Sequence, residues 1–560
     1  MTSAIVFALY GQMWPRFGCP HLEHRYIVFA LNVTHTSTSS KRFICHNSPL
    51  EQPATQEEDQ KHPARRQPAA MVRTATREYD ADVVSYLNAA VSAFHCVAEV
   101  RRRLLAAGFE ELDERRPWAG AVKPGGSYFV TRNGSSLLAF AVGGAFDEAT
   151  SGAIVVGAHT DSPCPKLKPC SKLEKAGAKM MGVVGYGGGI WHSWFDRDLT
   201  LVGRALYAKG GRPTHALVDL GKPICRIPTL AIHLSVGDER STFKPNLQSH
   251  LPPMLASGIR DALAAAGGPD DPPDPPAAGG ALERHDAAVV GLAAAYLGCA
   301  PGDVLELELQ LGDTQPAQLI GIHEEFVSSG RLDNQASCYC GTQALIEAAG
   351  SLAADASLRM LTMFDHEEVG SLSAQGANSP AFKDVLGRAY AALGGRDEHA
   401  FVARSLQISS DMAHGVHPNY AERHDPKHGP KLQGGLVIKH NANQRYATNA
   451  VGAVMVREFA ARADVPTQDF AVKADSGCGT TIGPITAALT GMRTVDVGPP
   501  QLSMHSCREM MGSDDVFYTI KLCKAAYEHF ADVTKAVDVD GPDPFWADPG
   551  KGWASATLQC

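Results

Sequence analysis

The 560-residue chain contains no apolar run of the ~18 residues that a membrane-spanning helix requires. Its first apolar stretch, Ala4–Tyr10, has no basic segment before it and no small-residue cleavage site after it, which argues against a secretory signal. CxxC pairs are absent, and thirteen cysteines spread from Cys19 to Cys560 are too sparse, and odd in number, for a disulfide scaffold. Cys338 and Cys340 would face different sides of a helix. Buried, reduced thiols are expected, which suits a reducing compartment. Basic charge is not in excess either: 51 Lys and Arg stand against 60 Asp and Glu, a net charge of −9. A chain this acidic is a poor general nucleic-acid binder, because neutralising phosphates takes clustered cations. A small anion in a local basic pocket remains compatible. No repeat of fixed period is present.

What the chain does have is apolar content. Hydrophobic residues make up 44% and charged residues 20%, enough for sizeable cores in two or three domains. Residues 1–78 differ from the rest, with Ser/Thr-rich (Thr34–Ser40) and Gln/Glu/Pro/Arg-rich (Glu51–Pro68) stretches that lack periodicity. They read as a disordered leader, either a targeting extension or sequence ahead of a true start at Met71. From Asp80 to Leu105, apolar residues recur at three- and four-residue spacing on one helix face. Residues 267–280 (GGPDDPPDPPAAGG) form an exposed loop. The second half alternates strand-like runs (Leu358–Asp365, Leu406–Ser410, Arg493–Val497) with helical stretches (Asn334–Gly350, Asp514–Phe530). That alternation predicts an α/β fold, a sheet with helices on both faces.

The chemistry-bearing residues fall at strand ends. The apolar run Ala153–Ala158 leads into His159-Thr160-Asp161, and Leu358–Phe364 into Asp365-His366-Glu367-Glu368. Leu406–Ser410 leads into Asp411, and Arg493–Val497 is followed, after a Gly/Pro turn, by His505. In open α/β sheets, sites form beyond the carboxyl ends of the strands. A fifth position, Asp333, stands where a helix should begin; in isolation it would read as an N-cap. Any one of these residues alone has such an ordinary reading, and their coincidence weakens it. Two imidazoles and three carboxylates suit a pair of Zn2+ or Mn2+ ions, with one carboxylate bridging. Asp161 is placed to accept the second N–H of His159, and one of Glu367 and Glu368 can ligate while the other stays free as a general base.

Eight blocks carry a resemblance: GAHTDSPC (157–164), GGGIWHSWFDRDLTLVGR (187–204), RLDNQASC (331–338), MFDHEEVGSLSAQGA (363–377), ISSDMAHGVHPNY (408–420), VIKHNANQRYATNAV (437–451), CGTTIGPI (478–485) and PQLSMHSCREM (500–510). Together, over residues 80–535 and in the same order, they resemble the aspartyl aminopeptidases, cytosolic di-zinc peptidases that remove N-terminal Asp or Glu. The resemblance implies a mixed-sheet catalytic domain in two parts (79–168 and 323–540), an inserted β-rich dimerisation domain (169–322) and a tail (541–560). It implies two Zn2+ per subunit, with Mn2+ or Co2+ as substitutes, a tetrahedral homododecamer, and a cytoplasmic location with no membrane or nucleic-acid partner. Carried over by position, His159, Asp333, Glu368, Asp411 and His505 match the metal ligands, with Asp333 bridging. Glu367 matches the general base and Asp161 the carboxylate that orients histidine. Glu367, Asp411, His414, Lys439 and Tyr446 match substrate contacts. His233, which the residues alone would place in a core, matches a histidine reaching into a neighbouring subunit's site. Against the pattern the resemblance implies there are two departures: Ser476-Gly477 replaces a common Thr-Pro, and His366 a common Asn. Two other functions remain open: a related di-zinc hydrolase of other peptides or acylated amino acids, and a non-catalytic oligomeric scaffold.

Overall fold

Three consecutive apolar runs, Ala153–His159, Leu358–Phe364 and Leu406–Ser410, are buried along their whole length. Such strands belong to the middle of a sheet covered on both faces. That is where they lie in the computed structural model, which describes residues 77–258, 280–537 and 539–540. Most of the expected leader, the loop up to residue 279 and the tail from 541 lie outside the described residues.

The main sheet has nine strands. Its centre is four mutually parallel strands in the order Leu358–Phe364, Ala153–His159, Leu406–Ser410 and Arg493–Gly498. Register pairs Phe364 with His159 and Ser410 with Val497, so the strands end at one level. Ser136–Val142 and Leu436–His440 flank them in antiparallel sense. Side chains alternate strictly between two cores. Ile154, Val156 and Ala158 pack with helices Ala93–Ala106, Leu332–Ala348, Ala450–Ala463 and Ser513–Ala536. Ala153 and Val155 face the opposite core, with helix Ala381–Ala392. The protein is therefore a mixed α/β fold.

A second sheet, of six antiparallel strands, is drawn from residues 164–313. Its own core includes Trp194, Leu199, Leu201 and residues of helix Ala287–Leu297. A third sheet of five short strands contains Phe326–Ser329, Glu509–Gly512, Pro500–Leu502 and Ala413–His414.

The single helical face expected from Asp80 is two helices, Asp80–Ala89 and Ala93–Ala106. Ser92 divides them: its side chain accepts from the His95 N–H and caps the second. Among the described residues ten cysteines are free, seven of them buried. Cys338 and Cys340 do point apart, one thiol to the His159 carbonyl and the other to Val516.

Candidate metal centre

The level strand ends bring four loops together. His159 ends its own strand, and Asp411 follows Ser410. Glu367 and Glu368 lie on a short 3-10 turn after Phe364. His505 lies in the turn after Pro500–Leu502, at φ 68°. Asp333 enters at the start of helix Leu332–Ala348, where it and Asn334 have non-helical backbone. Its carboxylate makes no capping bond and turns to the histidines instead. The helix start is tied to the strand ends: Asn334 donates to the Ser410 carbonyl (2.9 Å) and Gln335 to the Thr160 carbonyl (2.5 Å).

Asp333 sits between two imidazoles, with Oδ1 3.2 Å from His159 Nε2 and Oδ2 3.4 Å from His505 Nε2. His159 Nε2 also meets Asp411 Oδ1 at 3.4 Å and Glu367 Oε2 at 3.9 Å. His505 Nε2 meets Glu368 Oε2 at 3.3 Å. Three candidate ligand groups result among the described residues: His159/Asp333/Asp411 and Asp333/Glu368/His505, which share Asp333, and His159/Glu367/Glu368. Each histidine has its other nitrogen engaged: Nδ1 of His159 reaches the Asp161 carbonyl (3.1 Å), and Nδ1 of His505 the Gly188 carbonyl (3.0 Å). A carbonyl can only accept, so Nδ1 carries the proton and a neutral ring turns its Nε2 lone pair toward carboxylate oxygens.

Lone pairs facing lone pairs call for a cation. Asp333 Oδ1 and Glu368 Oε1 are buried without a hydrogen bond, which such a cation would satisfy. The donors, imidazole nitrogen and carboxylate oxygen, are those zinc takes. The same carboxylates favour the charged imidazoles. Burial alone would push His159 down, but the carboxylates around it, Glu367 foremost, hold it well above its ordinary value. His505 behaves likewise: burial opposes, Asp333 outweighs it, and its pKa rises to about 9. Burial pushes Glu367 up to about 8, only partly offset by His159.

Asp161 holds the centre together. Its Oδ1 lies 3.4 Å from His159 Nδ1 and accepts the Glu367 N–H (3.1 Å); Oδ2 accepts the Glu368 N–H (3.1 Å) and the Tyr186 hydroxyl (2.6 Å). Lys439 is buried, with Nζ 3.3 Å from Asp411 Oδ2 and 5.3 Å from the centre of the Tyr446 ring. His414 packs edge-on against Phe470, which also contacts Tyr446. His366 takes the left-handed backbone (φ 64°) that Asn adopts readily, and its ring bonds Ser373 (2.8 Å). His233 is apart from all of these within the chain, exposed in the turn Ile232–Leu234 rather than in a core.

Sequence reasoning missed three contributors. Tyr186 bonds Asp161 from just ahead of the 187–204 block. Gly187, at φ 73°, admits Glu368, whose Cβ would be 3.1 Å from any added Cβ. Glu509, buried, accepts the backbone N–H of both Asp333 (3.0 Å) and His505 (2.7 Å). Its signal was an acid four residues after His505 in a conspicuous block.

Residues 86–527 match the family described as Aminopeptidase I zinc metalloprotease (M18). The chain belongs to the M18 aminopeptidases. Among M18 relatives, a probable aspartyl aminopeptidase of Ricinus communis is 44% identical over 82% of this chain and 97% of its own. A structure described as the Ape4 and Nbr1 complex superposes with a TM-score of 0.78 at 40% identity, over 85% of this chain and 89% of that one. The S. cerevisiae mApe1 dodecamer gives 0.71 at 28% identity, over 83% and 99%. As an M18 member the chain is a zinc metallo-aminopeptidase. No helix among the described residues is long and apolar enough to cross a membrane.

Proposed function

We propose that the protein releases N-terminal Asp or Glu from peptides with two zinc ions per subunit, held by His159, Asp333, Glu368, Asp411 and His505. The observation that carries this reading is Asp333 between two imidazoles, one carboxylate oxygen facing each Nε2. Bound there, zinc supplies Lewis acidity and lowers the pKa of water toward neutrality. Glu367, whose carboxylate stands farther from His159 Nε2 than those of Asp333 and Asp411, takes the proton of the attacking water. It then hands that proton to the departing amine. Asp161 keeps His159 in the Nδ1–H tautomer and holds the Glu367 backbone still. The carboxylates around the centre favour a free α-amine at the substrate's N-terminus, so an exopeptidase results.

The acidic first side chain goes to Lys439, beside Tyr446 and His414, because an acid entering an acid-rich site requires a buried cation. The active unit is a homo-oligomer, with His233 completing a neighbour's site. Supporting this are the mApe1 dodecamer and a run of exposed apolar side chains around His233: Leu230, Ile232, Leu234, Val236 and Phe243.

The test is Glu367→Gln, assayed on Asp-, Glu-, Ala- and Leu-peptides beside wild type. Wild type should favour Asp and Glu. The variant should keep its zinc and lose at least ~100-fold in kcat. A variant with wild-type turnover would refute the assignment of the base.

A further inference from the structure

The chain lines a cavity of about 320 Å3 beside the candidate metal centre. One wall is His414, three residues beyond Asp411, and another is Ser503–Met504, immediately before His505. Its remaining walls bring in Arg423, His424, His417 and Lys473, and no Asp or Glu lines it. Two fixed cations, Arg423 and Lys473, thus stand with no acid between them in a chain of net charge −9.

The local bonds leave Arg423 and Lys473 available, whereas His424 Nε2 donates to the His414 carbonyl (3.2 Å). Arg423 Nε is 3.7 Å from the exposed carboxylate of Glu422, a loose solvated pair. Lys473 Nζ bonds only a backbone oxygen, that of Glu422 (3.2 Å). His417 Nδ1 accepts the Asn419 N–H (3.1 Å), which leaves its proton on Nε2. Lys473 is held on a turn closed by the Ser476 N–H to its carbonyl (3.0 Å). Ser476 and Gly477 are themselves part of the wall. A side chain at Gly477 would meet nothing within 4 Å, so this wall is open.

Phe470 joins the cavity to the Lys439 region. Its ring centre is 6.4 Å from that of Tyr446 on one side, and 5.8 and 6.2 Å from those of His414 and His424 on the other. Each such step spans fewer than two residues of extended peptide, at ~3.3–3.6 Å per residue.

We propose that this cavity binds a carboxylate on the leaving side of the scissile bond, through Arg423 and Lys473. The carboxylate is either an acidic second side chain or the free C-terminus of a dipeptide. The inference rests on the aminopeptidase reading above and names a second anionic feature of the preferred substrate.

The test compares kcat/KM for three substrates of the full-length protein: Asp-Ala-Ala-amide, Asp-Asp-Ala-amide and Asp-Ala with a free C-terminus. The first has no carboxylate beyond its first residue. Relative to it, one or both of the others should be about three- to tenfold faster at low salt, and the advantage should shrink in 0.5 M salt. The second substrate alone being faster identifies the side chain; the third alone identifies the terminus. The ratio should fall close to one in Arg423→Ala/Lys473→Ala and persist in Arg423→Lys/Lys473→Arg. Equal rates on all three substrates in wild type would overturn the inference, as would a parallel loss on all three in the alanine variant with the ratio preserved. Failure to cleave any of them would instead remove the aminopeptidase reading beneath it.

Discussion

Glu509 offers the sharpest test of how the metal centre is held. Its two carboxylate oxygens accept separate backbone N–H groups, His505 at 2.7 Å and Asp333 at 3.0 Å, and the residue is 2% exposed. Glu509→Ala strands both donors. A buried unsatisfied polar group costs about 1–3 kcal/mol, so the pair should cost ~3–6 kcal/mol once the small cavity is included. Glu509→Gln keeps one acceptor but turns an NH2 toward the other N–H, for a loss of ~1–3 kcal/mol. Denaturant unfolding should be followed on chelator-treated protein, so that bound metal does not contribute to the difference. Both substitutions also loosen a ligand backbone on each side of the centre, so zinc titration of the refolded variants should show weaker retention of both ions. If metal-free Glu509→Ala unfolds at the wild-type denaturant concentration and holds two ions as tightly, Glu509 is not the brace described here.

Asp333→Ala should lose both ions, while His159→Ala and His505→Ala should each weaken mainly one; elemental analysis after gel filtration distinguishes these, and two tightly held ions in Asp333→Ala would end the bridging assignment. Lys439→Met should lower kcat/KM on Asp-peptides by ~30–1000-fold and on Ala-peptides much less. Because Lys439 also faces Asp411, metal content must be measured alongside, and equal losses on both substrates would mean that it serves the metal geometry instead. Ser92→Ala removes the cap of helix Ala93–Ala106 and should cost ~0.5–2 kcal/mol of stability with no change in metal content, read from the denaturation midpoint.

The sheet centre was legible because its strands are apolar throughout, and the candidate ligands His159, Glu368 and Asp411 because each follows such a run, whereas Asp333 stands at a helix start and His505 after a turn. Periodicity read Asp80–Leu105 as one helix because the apolar face continues across the break; only the hydroxyl of Ser92, one small residue, marks it. His233 misled for a related reason. Leu, Ile and Val around a histidine look like a core in sequence, whereas here the whole turn is exposed. Position 366 became intelligible only with its backbone: a left-handed residue at the strand end tolerates Asn or His, and the imidazole goes to Ser373, not to the centre. Glu509 and Tyr186 act through a buried backbone and a carboxylate, partnerships that no local pattern encodes.

The division of labour between adjacent glutamates can be traced to one residue. Glu367 and Glu368 share a single turn, and both of their N–H groups donate to the Asp161 carboxylate, one to each oxygen. Their backbones are thereby fixed as a unit, and neighbouring side chains on such a turn must diverge. Glu368 reaches His505 at 3.3 Å, while Glu367 approaches His159 only to 3.9 Å. The same carboxylate lies 3.4 Å from His159 Nδ1, so one anion sets the orientation of an imidazole and of the two acids that flank the shared Asp333. Tyr186 donates to it from the end of a strand of the six-stranded sheet, linking that sheet to the turn that carries Glu367 and Glu368. A change at Asp161 should therefore disturb a candidate ligand, the candidate base and the bond from the second sheet together, which is why its place in the motif, two residues after His159, matters as much as the candidate ligands themselves.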